Sequence, residues 1–228
     1  MEPSRLERPV IAVDVVAFMV EHAQLQVLLH QRQEDPFRGA WALPGVAVRI
    51  DETLQEAARR ALAEKARWPS ADQKQLYLDQ LATFDALYRD PRGRTISIAY
   101  LGIIAQRVEG TDGVAWRPVE EIDPGGLPFD HPAILDTAVT RLRGKLRYTN
   151  IAQAFLAETF RIEELQEVYE AILGYPLNRT NFRNKLLKIE LIEQVRILNE
   201  AVGKHGGRPP HLYRFTHDLL EIVEREFV

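Results

Sequence analysis

Between Gly174 and Arg214 the chain carries Arg179, Arg183, Lys185, Lys188, Arg196, Lys204, Arg208 and Arg214. Only Glu190, Glu193 and Glu200 oppose them, a local surplus of five positive charges in a protein whose net charge is -4. A reversal of sign on that scale is what binding to a phosphate backbone requires. The segment NRTNFRNKLLKI opens on Asn178, a good helix N-cap, and its first turn offers Arg179, Thr180 and Asn181. Arg183, Asn184, Lys185 and Lys188 follow on the same helix, while Phe182, Leu186, Leu187 and Ile189 form a stripe suited to a core. Arginine forks onto guanine and asparagine onto adenine, so these side chains suit base edges. Gly203–Pro210, with Lys204, His205 and Arg208, has the composition of a hairpin tip lying along phosphates, and Arg214 follows it. A charged helix face is usually only solvated. Here helix, hairpin and charge reversal are separate signals that agree.

A second concentration of chemistry surrounds the loop PFRGAWALPG, with Phe37, Arg38, Trp41, Pro44 and Gly45, and the Ala-, Leu- and Glu-rich stretch after it, with Arg59, Arg60 and Glu64. Positions 60, 63 and 64 fall at i, i+3 and i+4 of a helix and share one face. Taken alone, that face reads as solvated charge. Aromatics beside a glycine-rich loop pack more often than they stack on a base, so Phe37 and Trp41 stay open between those roles. RDPRGR, holding Arg89 and Arg92, precedes the strand-like ISIAYLGII. In LPFDHPAIL, Asp130 and His131 suit either a helix N-terminus or ligand contact.

The elements that must position these residues fall into two groups. Strands are predicted over Val10–Val20, Gln26–His30, Leu76–Ala86 and Arg94–Ala105, with a loop over Asp35–Gly45 and a helix over Asp51–Ala66. After Trp116 the chain reads as loop, then as a helix over Pro132–Arg143. The composition changes near Gly144–Asn150. Beyond it, helices are predicted over Asn150–Glu158, Ile162–Leu173 and Arg179–Ile189, strands over Glu193–Asn199 and His211–Phe215, and a last helix over Thr216–Glu226. That is the order of a winged helix-turn-helix. An apolar content of 46% in 228 residues supports two cores and excludes a disordered or collagenous chain. Without cysteine there is no disulfide, thiolate metal site or Cys nucleophile, which fits a cytoplasmic protein. The apolar run at Val10–Val20 is too short for a bilayer and is broken by Asp14, so no membrane association is expected.

GAWALPGVAVRIDETLQEAARRALAEKARW resembles the Nudix box, the loop–helix–loop signature of enzymes that cleave nucleoside diphosphates linked to another moiety. Gly45 fits its first position, Asp51 stands at the first Glu, and Arg59 and Ala61 fit the Arg and the apolar position. Arg60, Ala63 and Glu64 stand at the three helix carboxylates, and Ala66 and Arg67 replace the closing Gly and apolar residue. Those carboxylates converge on divalent cations in the family. With one of the three left, the resemblance implies a domain that binds and does not cleave, with no catalytic residue, no metal and no required cofactor. Arg60 is expected to pair with Glu64 or face a ligand's pyrophosphate, and Asp51 to pair with Arg59, holding loop to helix. RDPRGR and LPFDHPAIL resemble the Nudix branch that handles ADP-ribose.

The whole chain resembles the NrtR group of Nudix-related transcriptional regulators, its C-terminal part through ELQEVYEAILGYPLNRTNFRNKL and GGRPPHLYRF. The implied architecture is an α/β domain (the α+β Nudix sandwich) over residues 1–146 and a winged helix-turn-helix over 147–228. The implied function is repression of NAD-metabolism genes from a palindromic operator on double-stranded DNA, by a homodimer built through the Nudix domains. ADP-ribose or a related nucleotide is the implied effector, with sugars replacing it in some relatives. The alternatives are an active Nudix hydrolase (an ADP-ribose pyrophosphatase) with an appended nucleic-acid-binding domain, and a protein-interaction module.

Overall fold

The computed structural model describes residues 8–68, 76–105, 112–123, 125–195 and 211–217. They divide into two units, one within Met1–Met19 and Gln26–Val139, the other within Val20–Leu25 and Thr140–Val228. Among the described residues no helix is long and apolar enough to cross a membrane.

The first unit is built on β1 (Val10–Glu21), an apolar run buried without interruption from Val13 to Met19, as a strand covered on both faces must be. β1 pairs with β2 (Gln24–Gln31), antiparallel with β4 (Gly45–Ala47) and parallel with β6 (Thr95–Ile104). The order is β3–β2–β1–β6–β5, with β3 at Trp41–Ala42, β5 at Leu76–Phe84, and β7 (Val114–Pro118) pairing with β2. Helix α1 (Leu54–Ala66) lays Ala57, Ala58, Ala61 and Leu62 on Val13, Val15, Ala17 and Leu28 of the sheet. Small residues there let the helix approach closely. α1 starts three residues later than the sequence suggests. Thr53 and Glu56 form a capping box, the Glu56 N–H donating to Thr53 Oγ1 (3.2 Å) and the Thr53 N–H to Glu56 Oε2 (2.7 Å). β3 lies inside the expected loop and β4 starts at its last residue, while β7 runs two residues into the loop expected after Trp116. Two- and three-residue strands are too short to show alternation.

Helix α2 (His131–Tyr148) runs five residues past the expected Arg143 and crosses the boundary between the units. In the second unit the expected helix at Asn150–Glu158 is only a 3-10 turn, Ile151–Phe155, whose cap residue Asn150 makes no side-chain capping bond. β8 (Phe160–Arg161) leads into α3 (Ile162–Leu173), which Gly174 ends at φ +81°. α4 (Arg179–Lys188) is followed by β9 (Ile192–Val195) and β10 (Leu212–Phe215). β10 pairs with both β8 and β9. Thr216 and His217 are not helical, and the rest of the expected last helix lies outside the described residues.

Candidate functional site

A cleft of about 1000 Å³ opens in the first unit beside α1, and Gly45, Arg60, Glu64, Arg89, Arg92 and His131 of the expected site line it. Phe37, Arg38, Trp41, Pro44, Arg59 and Asp130 do not. Phe37 sets its ring edge on Phe129 (5.0 Å), Arg38 pairs loosely with Asp35 (3.6 Å), and Trp41 lies under the Arg117 guanidinium (4.6 Å). The Pro44 carbonyl accepts the Val15 N–H (2.8 Å), tying the loop to β1.

The expected pair of Asp51 and Arg59 is not formed. Asp51 is exposed, and Arg59 Nη1 is buried with no hydrogen-bond partner among the described residues. The pair joining loop to helix is one place further on. Arg60 forks onto Glu52, Nε to Oε2 (2.9 Å) and Nη2 to Oε1 (2.5 Å), and donates to the Ala47 carbonyl (2.8 Å) and Glu64 (3.2 Å). The Arg60 fork and the Arg49 N–H hold the Glu52 carboxyl down at about 2. Shifting the box by that residue puts Glu52 at the first Glu and Arg60 at the Arg. Arg67, left-handed at φ +53°, then takes the closing Gly, and buried Trp68 the closing apolar position. The three carboxylate places become Ala61, Glu64 and Lys65. Arg60 is therefore a structural residue, saturated by its partners, and not a metal substitute facing a pyrophosphate.

The site does not fit Mg²⁺. Glu64 accepts from Arg49 and Arg60 (3.3 and 3.2 Å), and Lys65 follows it. Among the described residues no group of three His, Asp or Glu converges as a ligand set. Divalent cations need several oxygen ligands and no adjacent fixed cation.

At the base of the cleft lies a buried network that joins RDPRGR to LPFDHP. Arg89 forks onto Asp130, Nε to Oδ2 (2.8 Å) and Nη2 to Oδ1 (2.6 Å), and Nη2 also reaches Asp14 (3.2 Å). Burial opposes the Arg89 charge, but Asp130 and Asp14 outweigh it and keep the guanidinium protonated. Ser97 donates to Asp14 (2.6 Å). His131 Nδ1 accepts the Leu43 N–H (3.1 Å), which leaves its proton on Nε2, 3.6 Å from Asp14 Oδ1. Burial lowers the His131 pKa, so the ring is neutral. Arg89 and His131 thus shape the cleft from within the network. Asp14 was visible in the sequence only as a break in an apolar run.

Phe129 is held at φ +58°, a conformation that costs a bulky residue of the order of 1–2 kcal/mol, and its ring faces the guanidiniums of Arg32 (4.8 Å) and Arg92 (5.8 Å). Arg92 is bound to Asp90 (2.7 Å). Arg32, His30 and Lys65 also line the cleft, and the sequence reading had singled out none of them.

In the second unit, α3 buries Leu165, Val168, Tyr169 and Ile172, and α4 packs Phe182 against Tyr169 (4.9 Å between centroids). This orientation leaves Arg179, Thr180, Asn181, Asn184, Lys185 and Lys188 exposed, while Leu187 and Ile189 are only half-buried. The Asn181 N–H donates to the Asn178 side chain (3.0 Å), the expected cap. Arg183 is half-buried, with Nη2 on Asn184 (3.1 Å) and a buried Nε that has no partner among the described residues. Arg179 is held by Glu163 of α3 (3.0 Å), and Arg214 by Glu193 across the strands (2.6 Å). Arg196, Lys204, His205 and Arg208 lie outside the described residues.

Residues 8–138 match the NUDIX domain and residues 152–215 the NrtR DNA-binding winged helix domain. The chain is thus a Nudix domain joined to a DNA-binding winged helix. It is 35% identical to the ADPR responsive transcriptional repressor NtrR of Acinetobacter baylyi, over 91% of this chain and 82% of that one. It is similar in structure to Shewanella oneidensis NrtR complexed with a 27mer DNA (TM-score 0.71, 30% identity, 90% of this chain and 93% of that one). It also resembles that protein's NUDIX domain complexed with ADP ribose (TM-score 0.51, 32% identity, 62% and 94%). Over 132 residues it is also similar to an ADP-ribose pyrophosphatase of Methanocaldococcus jannaschii (33% identity, 56% of this chain and 71% of that one). The chain belongs to the NrtR family of Nudix-related transcriptional regulators.

Proposed function

We propose that this protein is a DNA-binding transcriptional repressor whose Nudix domain senses ADP-ribose and does not hydrolyse it. The carrying observation is that one chain joins a Nudix helix with a carboxylate, Glu64, at just one of its three metal-ligand places to an exposed basic recognition helix, α4. The names of the Acinetobacter and Shewanella relatives support both the ligand and the DNA. The domain boundary is placed at 146/147, inside α2 and seven residues past the division between the compact units, between family matches that end at 138 and begin at 152. Arg179, Thr180, Asn181, Arg183, Asn184, Lys185, Lys188 and Arg214 contact DNA, with Lys204, His205 and Arg208 as the wing. Gly45, Glu64, Arg89, Arg92 and His131 form the walls of the effector cleft.

The repressor acts as a homodimer through its Nudix domains, reading a palindrome in NAD-metabolism promoters with its two recognition helices about one helical turn, or a multiple, apart. ADP-ribose favours a domain arrangement with the wrong spacing, and DNA affinity falls by the difference in binding free energy between the two states. A gel-shift titration of the gene's own upstream DNA, with and without ADP-ribose, tests this: loss of the shifted band on adding ligand is expected. Absence of any shift at low salt would remove the DNA role. Incubation with ADP-ribose and Mg²⁺ or Mn²⁺ is expected to yield no AMP, and clear turnover would restore the hydrolase reading.

A further inference from the structure

The Nudix domain has lost two of the three helix carboxylates that bring metal charge to a pyrophosphate, and the charge must come from elsewhere if a nucleoside diphosphate is to bind. Most guanidiniums on the cleft wall are already spoken for. Arg49 pairs with Glu64, Arg60 with Glu52, Arg89 with Asp130 and Arg92 with Asp90. Arg94 donates to the Asp85 and Ala86 carbonyls (2.7 and 3.2 Å) and lines the main cleft alone, not the one that adjoins it.

Lys65 and Arg32 differ. Among the described residues neither has a carboxylate within salt-bridge distance, and Arg32 spends its bonds on the carbonyls of Pro36 (2.8 Å) and Glu34 (3.3 Å). Both line the main cleft and also an adjoining one of about 560 Å³, which shares His30 with it. His30 is buried between their fields: burial first, then Lys65 and Arg32, lower its pKa to about 4, so the ring stays neutral and neutralises neither. Lys65 and Arg32 are half-buried cations on the same two clefts, which Glu34 and Glu64 also line, and a dianionic group seated between the cations is attracted by both. Lys65 moreover occupies, in the shifted box, one of the three carboxylate places. The family's metal ligand has become a fixed cation on the same wall.

The geometry points to Lys65 and Arg32 as a pair that holds the pyrophosphate of the nucleotide directly, with no metal ion between protein and ligand. This rests on the nucleotide-sensing reading above. The ammonium and guanidinium donate to the phosphate oxygens, as metal-bound charge does in the cleaving enzymes, but they polarise no water and generate no nucleophile.

Calorimetry on the full chain tests it, with ADP-ribose titrated in EDTA and again in Mg²⁺. Equal affinity in both, within about twofold, is expected. Lys65→Met should weaken ADP-ribose binding in EDTA by about tenfold or more, as should Arg32→Gln. Both should leave the weaker binding of adenosine, which has no phosphate, unchanged. Lys65 lies at a half-exposed helix position away from the core, so its variant separates binding from folding. Affinity that appears only with Mg²⁺, or a Lys65→Met variant within about twofold of the parent, overturns the pair while leaving the sensor standing. No ADP-ribose binding by the parent in either buffer overturns both.

Discussion

Replacing Gly45 with alanine perturbs the cleft at its tightest point. A Cβ at position 45 would stand 2.1 Å from Asp14 Oδ1, 3.1 Å from the Val13 carbonyl and 3.2 Å from Asp14 Cγ. Ordinary non-bonded contact begins roughly 1 Å further out than the shortest of these. The backbone cannot easily retreat, because Gly45 sits opposite Asp14 in the β4–β1 ladder and the neighbouring Pro44 carbonyl is bonded to β1. Asp14 must therefore swing away, surrendering the Ser97 hydroxyl and the Arg89 guanidinium, both buried. Each hydrogen bond to a charged group contributes about 1.5–3 kcal/mol, so a loss of about 3–6 kcal/mol is expected. Urea unfolding followed by tryptophan emission reads this cleanly, since Trp41, Trp68 and Trp116 are the only three tryptophans and all lie in the first unit. In an Asp14→Ala background the same replacement should cost less than about 1 kcal/mol, a coupling of about 2 kcal/mol or more. A loss below about 1 kcal/mol in the parent, or full additivity with Asp14→Ala, would refute the clash.

Arg60→Gln should lower the Tm of the first unit by several degrees, whereas Asp51→Asn should leave it unchanged; differential scanning calorimetry distinguishes the shifted box from the unshifted one. His30, held near pH 4 in the fold against 6.5 unfolded, takes up its proton first in the unfolded chain. Stability is thus full above pH 6.5 and falls as pH drops toward 4, by about 3 kcal/mol at about 1.4 kcal/mol per pH unit, and His30→Asn should flatten that part of a urea-midpoint profile. Arg179→Ala with Lys188→Ala should weaken binding to every duplex and reduce the slope of log affinity against log salt by about 2 if both side chains meet phosphates. An unchanged slope would move them off the backbone.

The most legible parts were those where local chemistry and packing period agree. Helix α3 matches its expected bounds residue for residue, because Ile162, Leu165, Val168, Tyr169 and Ile172 repeat at helical spacing and Gly174 supplies the left-handed stop. Asn178 caps α4 as its type suggests. The box was read one residue early. Asp51 and Glu52 are adjacent acids, and only the fork of Arg60 and the left-handed backbone at Arg67 tell which one faces the helix. The network at Asp14 was illegible for a different reason. Its partners Arg89 and Ser97 are 75 and 83 residues away, brought alongside by a parallel pairing that no local pattern announces.

That pairing also governs how the chain can be made. The central strand β1 meets β6 from Val10 against Thr95 to Phe18 against Ile103. During synthesis on a ribosome, about 85 residues must emerge after β1 before its parallel neighbour exists. Non-local closure of this kind is slow, and the interval leaves the buried stretch Val13–Met19 uncovered on one edge. Nascent chains stalled before β6 should therefore be the species that chaperones hold and proteases clear. The basic reader follows the first unit along the chain and emerges when that central pairing is already complete.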